Sequence, residues 1–143
     1  MRAERAFILA SGKSSRMRES DGQDIAKPIR RVGGKFLISY VIDALMHVGV
    51  SEIYIVHYPP DGLPERVDPD MTRLHWIADH RQIGSLYAFS LIEPFVSYPF
   101  ICTDSDIICS KDDFSYMINE GLRSIERNAF NGTIAVLENP SFQ

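Results

Sequence analysis

The stretch AFILASGKSSRM, residues 6–17, decides how the rest of the chain is read. Five apolar residues, Ala6 to Ala10, run into Ser11-Gly12 and then into Lys13, Ser14, Ser15 and Arg16. A short continuous apolar run is what a parallel strand covered on both faces requires. A polar, glycine-containing loop at its carboxyl end stands where open α/β sheets hold their ligands. Gly12 lets a bound group approach the backbone with no Cβ in the way.

The pattern downstream agrees. In FLISYVIDALMHVG (36–49) the residues Phe36, Ile38, Tyr40, Val41, Ala44, Leu45 and Val48 recur at helical spacing, with Gly49 as the stop. EIYIVHY (52–58) predicts a strand, PPDGLPERVDPD (59–70) a turn-rich segment, and RLHWIAD (73–79) another strand. Residues 84–95 predict a helix ended by Pro94, and YPFICTDSDII (98–108) an apolar strand running into acids. Residues 112–127 predict a helix, with Asp112 and Asp113 at its start and basic residues at its end, as the helix dipole favours. GTIAVLENP (132–140) predicts a final strand, and residues 13–30 read as a long polar loop. Strands alternating with helices imply one domain over residues 1–143, a three-layer α/β/α, Rossmann-like unit with a mostly parallel, mixed sheet.

Bulk properties exclude several classes. Fifteen basic against nineteen acidic residues give a formal charge of −4, against the basic excess of a nucleic-acid binder. No apolar run approaches the ~18 residues of a membrane span, and MRAERA (1–6) lacks the apolar stretch of a secretory signal. The expectation is a cytoplasmic protein with neither membrane nor nucleic-acid partner. Cys102 and Cys109 have no metal or redox spacing and read as reduced thiols.

Gly12-Lys13-Ser14 matches the end of a Walker A loop, but Phe7 stands where GxxxxGK[ST] needs glycine. G-x-G-x-x-G fails too, since Ser14 and Met17 occupy its later glycines. Two readings remain. Lys13, Arg16 and Arg18 form a solvated loop, or the loop is a phosphate cradle with exposed amides, Arg16 as a bidentate grip and Lys27 as a point charge. Asp104 and Asp106, two residues apart at a strand end, either share one hard-oxygen site suited to Mg²⁺ or form a solvated turn. Ser85 after Gly84 reads as a helix N-cap. His47, His57 and His75 read as structural, His80 carries no assigned role, and Trp76 reads as core.

The run L-A-S-G-K-S-S-R-M, then Lys27-Pro28, then Gly33-Gly34-Lys35 and an amphipathic helix, resembles the signature of nucleotidyltransferases that join a nucleoside triphosphate (NTP) to a phosphorylated sugar or alcohol. Their opening reads roughly L-A-[AG]-G-x-[GS]-x-R-[ML]. Serine at the second glycine position resembles the molybdenum-cofactor guanylyltransferase branch, and the acidic strand end is more similar to the sugar-phosphate and phosphocholine branches. The resemblance covers about residues 5–140. Ser11 departs from the usual Ala or Gly, and Lys-Pro from the Pro-Lys of several branches.

The resemblance implies a nucleotide-diphospho-sugar transferase fold in which NMP passes from an NTP to a phosphorylated small-molecule acceptor and pyrophosphate leaves. It assigns nucleotide contacts to Leu9, Ala10, Ser11, Gly12, Lys13, Ser14, Ser15, Gly84 and Ser85. Arg16 and Lys27 become the catalytic cations. Mg²⁺ falls on Asp106, with Asp104 beside it. Many relatives carry a base-reading glutamine five residues before the glycine; Asp79 stands there, with Gln82 nearby, so the base is left open. Relatives continue into an acceptor segment beyond the last strand, and this chain stops at ENPSFQ (138–143), so the expectation is a nucleotide-binding half truncated before its acceptor half. The alternative function is a non-catalytic nucleotide or nucleotide-sugar binding module that regulates through self-association, with two copies pairing along an open sheet flank. A third reading is an unrelated flavodoxin-like domain.

Overall fold

A computed structural model describes residues 2–70 and 73–128. In chain order the elements are β1 (Arg5–Ala10), α1 (Ser15–Asp21), the short strands β2 (Arg31–Val32) and β3 (Lys35–Phe36), α2 (Leu37–Val48), β4 (Glu52–His57), α3 (Leu63–Val67), β5 (His75–Ala78), α4 (Ser85–Ser90), β6 (Phe100–Asp104) and α5 (Lys111–Asn128). The predicted opening strand is central. β1 lies between β4 and β6 in a four-stranded sheet of order β5-β4-β1-β6, parallel throughout.

Both faces of β1 are covered, which is why its sequence is continuously apolar rather than alternating. Ala6, Ile8 and Ala10 pack with Ile38, Val41, Ile42 and Leu45 of α2 and Phe114 of α5. On the other face Phe7, with Tyr54 and Val56 of β4, meets Ala88 and Ile92. Helices on both faces of a parallel sheet make the α/β/α layering that the sequence implies. Gly49 terminates α2 as predicted, at φ 90° with its N–H directed to the carbonyls of Leu45 and Met46. Ser110 holds the start of α5 by accepting the Asp113 N–H at 3.0 Å and donating to its carboxylate at 2.7 Å. Asp113 is therefore a helix-start residue, as read.

Three sequence readings need correction, and one hairpin went unread. Residues 13–30 are not one loop, because α1 and a 3₁₀ turn at Lys27–Ile29 interrupt it. SRMRESD has no apolar stripe, so periodicity gave no sign of a helix. Gly33-Gly34 turns the antiparallel β2–β3 hairpin, and residues 59–70 include α3. Pro94 does not end α4; the helix stops at Ser90, and Pro94 sits in a separate 3₁₀ turn, Glu93–Phe95. The predicted strand at 132–140 lies outside the described residues.

His47 Nε2 is 3.8 Å from Asp112 Oδ1 and His75 Nε2 is 4.0 Å from Glu52 Oε1, both ordinary surface pairings. His57 is buried edge-on to Trp76, and burial lowers its pKa. Cys102 and Cys109 are free, and burial pushes the Cys102 thiol up to about 11, so it stays protonated. Among the described residues no helix is long and apolar enough to cross a membrane.

Candidate functional site

Because β1 and β6 are adjacent and parallel, their carboxyl ends share one edge. Asp104 stands opposite Leu9 in the ladder. Between the loop after β1 and the turn after β6 opens a cleft of about 690 Å³, whose polar wall is Lys13, Ser14, Lys27, Ser85, Asp104 and Asp106. Leu9, Ala10, Gly12 and Ser15 line it as well. Residues about ninety apart in sequence thus meet in one site. The two aspartates share it for a different reason than strand alternation: β6 ends at Asp104, and the following turn carries Asp106 into the cleft.

Lys27 is held from two sides. Its backbone N–H donates to Ser14 Oγ at 2.9 Å, and its Nζ lies 2.5 Å from Asp106 Oδ2. Ser14 takes φ 56°, a left-handed conformation uncommon outside glycine, which turns its hydroxyl toward Lys27. The Lys27 and Asp106 side chains are 38% and 34% exposed, so the pair is worth little to stability and can exchange partners with a ligand. Arg16 falls on α1, directly after Ser15; its side chain lies outside the described part of the structure. Among the described residues no three His, Cys, Asp or Glu cluster as a metal cage. Two carboxylates at the edge of an open cleft do suit Mg²⁺, which takes one or two protein carboxylates and fills its shell with phosphate oxygens and water.

A second cleft of about 400 Å³ adjoins the first, shares Leu9, Gly12, Lys13, Ser85 and Asp104 with it, and continues to Ser11, Gln82, Ile83 and Gly84. Gly84, rather than Ser85, occupies the cap position of α4, and no side chain caps that helix. Its φ of 119° with ψ of 168° is a region essentially reserved for glycine. A Cβ there would meet no atom within 4 Å, so the obstacle to substitution is the backbone alone. Gly84→Ala is expected to cost about 1–3 kcal/mol in urea unfolding. Gly12→Ala, also in open space but without a positive φ, should stay within about 0.5 kcal/mol. Equal stability of the two variants would contradict this account.

Sequence reading missed the most buried polar group of the site. Asp79 is 1% exposed. Its Oδ2 accepts the Ser11 hydroxyl at 2.7 Å, and its Oδ1 accepts the N–H groups of Arg81 at 3.0 Å and Gln82 at 2.8 Å. Burial on its own raises the carboxyl pKa, but these hydrogen bonds more than offset it and hold the group below its ordinary value. The signal was present as two separate departures from the resembled pattern, Ser11 and Asp79. The structure shows them to be a single pair.

Sheet order, crossovers and the loop at the end of β1 define a Rossmann-like domain of the nucleotide-diphospho-sugar transferase type. The profile of the MobA-like NTP transferase domain matches residues 6–92, from β1 to just beyond α4, and the chain belongs to that family. It is 35% identical over 95 residues to the bifunctional protein GlmU of Blochmanniella pennsylvanica, a match that covers 64% of this chain and 20% of GlmU. Among solved structures it is similar to the inositol-1-phosphate CTP transferase from T. maritima, with 26% identity and a TM-score of 0.61 over 73% of this chain and 44% of that one. A nucleotidyl transferase from Methanothermobacter shares the fold, with 17% identity and a TM-score of 0.65 over 80% of this chain and 56% of that one. The chain therefore spans a fifth of GlmU and about half of each solved relative.

Proposed function

We propose that this domain binds a nucleoside triphosphate with the polyphosphate in the larger cleft and the base in the smaller, and transfers NMP to a phosphorylated sugar or other phosphorylated alcohol. The observation that carries the reading is the Lys27–Asp106 pair, a cation and a carboxylate facing each other across a cleft floored by the loop after β1. A triphosphate brings about four negative charges. On its arrival the Lys27 ammonium turns from Asp106 to phosphate oxygens, assisted by Lys13 and Arg16, while Gly12 leaves the backbone of the loop open to the ligand. The carboxylates of Asp106 and Asp104 are then available to hold Mg²⁺, which supplies charge neutralisation on the phosphate oxygens.

An acceptor phosphate oxygen attacks the α-phosphorus in line. The new P–O bond forms as the bond to the β-phosphate oxygen breaks, and pyrophosphate departs with the negative charge. Positioning and charge neutralisation suffice, with no covalent intermediate on the protein. The inositol-1-phosphate CTP transferase, by its name, pairs a nucleotide with a phosphorylated alcohol, which supports this substrate class.

The test is thermal denaturation with ATP, CTP, GTP and UTP, each with and without Mg²⁺, followed by pyrophosphate release with a panel of sugar and polyol phosphates. At about one hundred times Kd the preferred nucleotide should stabilise by about 2.7 kcal/mol. No stabilisation by any of the four overturns the reading, and stabilisation without pyrophosphate release confines the chain to binding.

A further inference from the structure

We propose that Ser11 and Asp79 form a buried latch that hands recognition of the nucleobase to Gln82. This rests on the nucleotide reading above. Asp79, the acidic residue at the start of this loop, has nothing to offer a ligand itself. Both Asp79 oxygens accept hydrogen bonds from protein groups, and the residue is 1% exposed.

The same bonds shape the loop. The loops after β1 and β5 belong to strands that are not neighbours, since β4 lies between them. The latch spans that gap above the end of β4: the Asp79 N–H donates to the His57 carbonyl at 2.8 Å, and its carboxylate reaches Ser11 on the far side. Accepting the N–H groups of residues two and three further on, Asp79 reverses the chain and places Gln82 at φ 52° on the wall of the smaller cleft.

Gln82 is set up to be displaced toward a ligand. Its Nε2 donates to the Gly12 carbonyl at 3.3 Å, long for such a bond. A carboxamide presents N–H donors and a carbonyl acceptor in one plane, the complement of a base edge that carries both. Ser11 and Asp79 are positioning residues in this scheme, and Gln82 is the contact.

The experiment measures Kd for the four NTPs and for inorganic tripolyphosphate, with amide hydrogen exchange at Arg81 and Gln82 followed in the nucleotide-free protein. In Gln82→Ala the ratio of weakest to tightest NTP Kd should shrink at least fivefold, while tripolyphosphate Kd stays within twofold. Ser11→Ala should shrink the ratio similarly and speed exchange at Arg81 and Gln82 at least tenfold; Ser11→Thr, which keeps the hydroxyl, should restore both. A purely structural serine would alter melting without moving the base ratio. An unchanged ratio in Gln82→Ala, unchanged exchange in Ser11→Ala, or a parent protein that binds NTPs without discrimination overturns the latch and leaves the nucleotide reading intact. A parent that binds no NTP overturns both.

Discussion

Replacing Lys27 with alanine is expected to lower the rate of pyrophosphate release by about 10²–10³, the usual loss when one preorganised charge-stabilising donor is removed from a reacting site. The ammonium stands 2.5 Å from Asp106, and the residue is anchored through its own backbone N–H to Ser14. In the proposed reaction, its removal takes a positive charge from the place where negative charge accumulates as pyrophosphate leaves. Ground-state binding should suffer less, by about tenfold in NTP Kd, the lower end of the range for a hydrogen bond to a charged group. The fall in kcat should therefore exceed the rise in KM, as for an interaction that strengthens toward the transition state. Stability should hardly move, because both partners of the pair are about a third exposed. Lys27→Arg keeps the charge but replaces a compact ammonium with a planar fork, and should recover binding better than turnover. Pyrophosphate release within threefold of the parent in Lys27→Ala would remove Lys27 from the chemistry.

What the sequence disclosed and what it hid follow from the range of the interactions involved. β1 and α2 are readable because burial stamps a short-range pattern: an unbroken apolar run where both faces are covered, a helical stripe where one is. α1 left no such stamp, since Ser15–Asp21 contains a single apolar residue, Met17. The site was legible as two groups of residues at strand ends, which parallel strands bring to one edge. That β6 lies directly beside β1, and so sets Asp106 against Lys27, depends on strand order, and local patterns carry none of that. The Ser11–Asp79 bond is the extreme case. Sixty-eight residues and an intervening strand separate its partners, so each looked like an isolated oddity in its own loop.

Removing the Asp79 carboxylate should be the more damaging change for the fold. Asp79→Ala strips the acceptor from the buried Ser11 hydroxyl and from the part-buried N–H groups of Arg81 and Gln82 at once. Each orphaned group costs about 1–3 kcal/mol when fully buried, and relaxation of the 79–84 loop recovers part of it, so a net loss of about 3 kcal/mol is expected. For a chain of this size that lowers Tm by about 10 °C. The acid dependence identifies the cause. Because the folded Asp79 pKa is depressed, its contribution is complete above the unfolded value of about 3.9 and disappears as pH falls through the folded value. His57, lowered by burial, acts in a different window: below about pH 6.5 the unfolded chain takes up a proton that the folded state resists, so stability declines there in parent and variant alike. The difference between the two proteins should therefore be flat from pH 8 to about 5 and shrink only below about 4. Urea unfolding across that range gives the difference curve directly. A Tm change under 2 °C, or a difference that already closes near pH 6, would mean that the carboxylate is not what holds the two loops together.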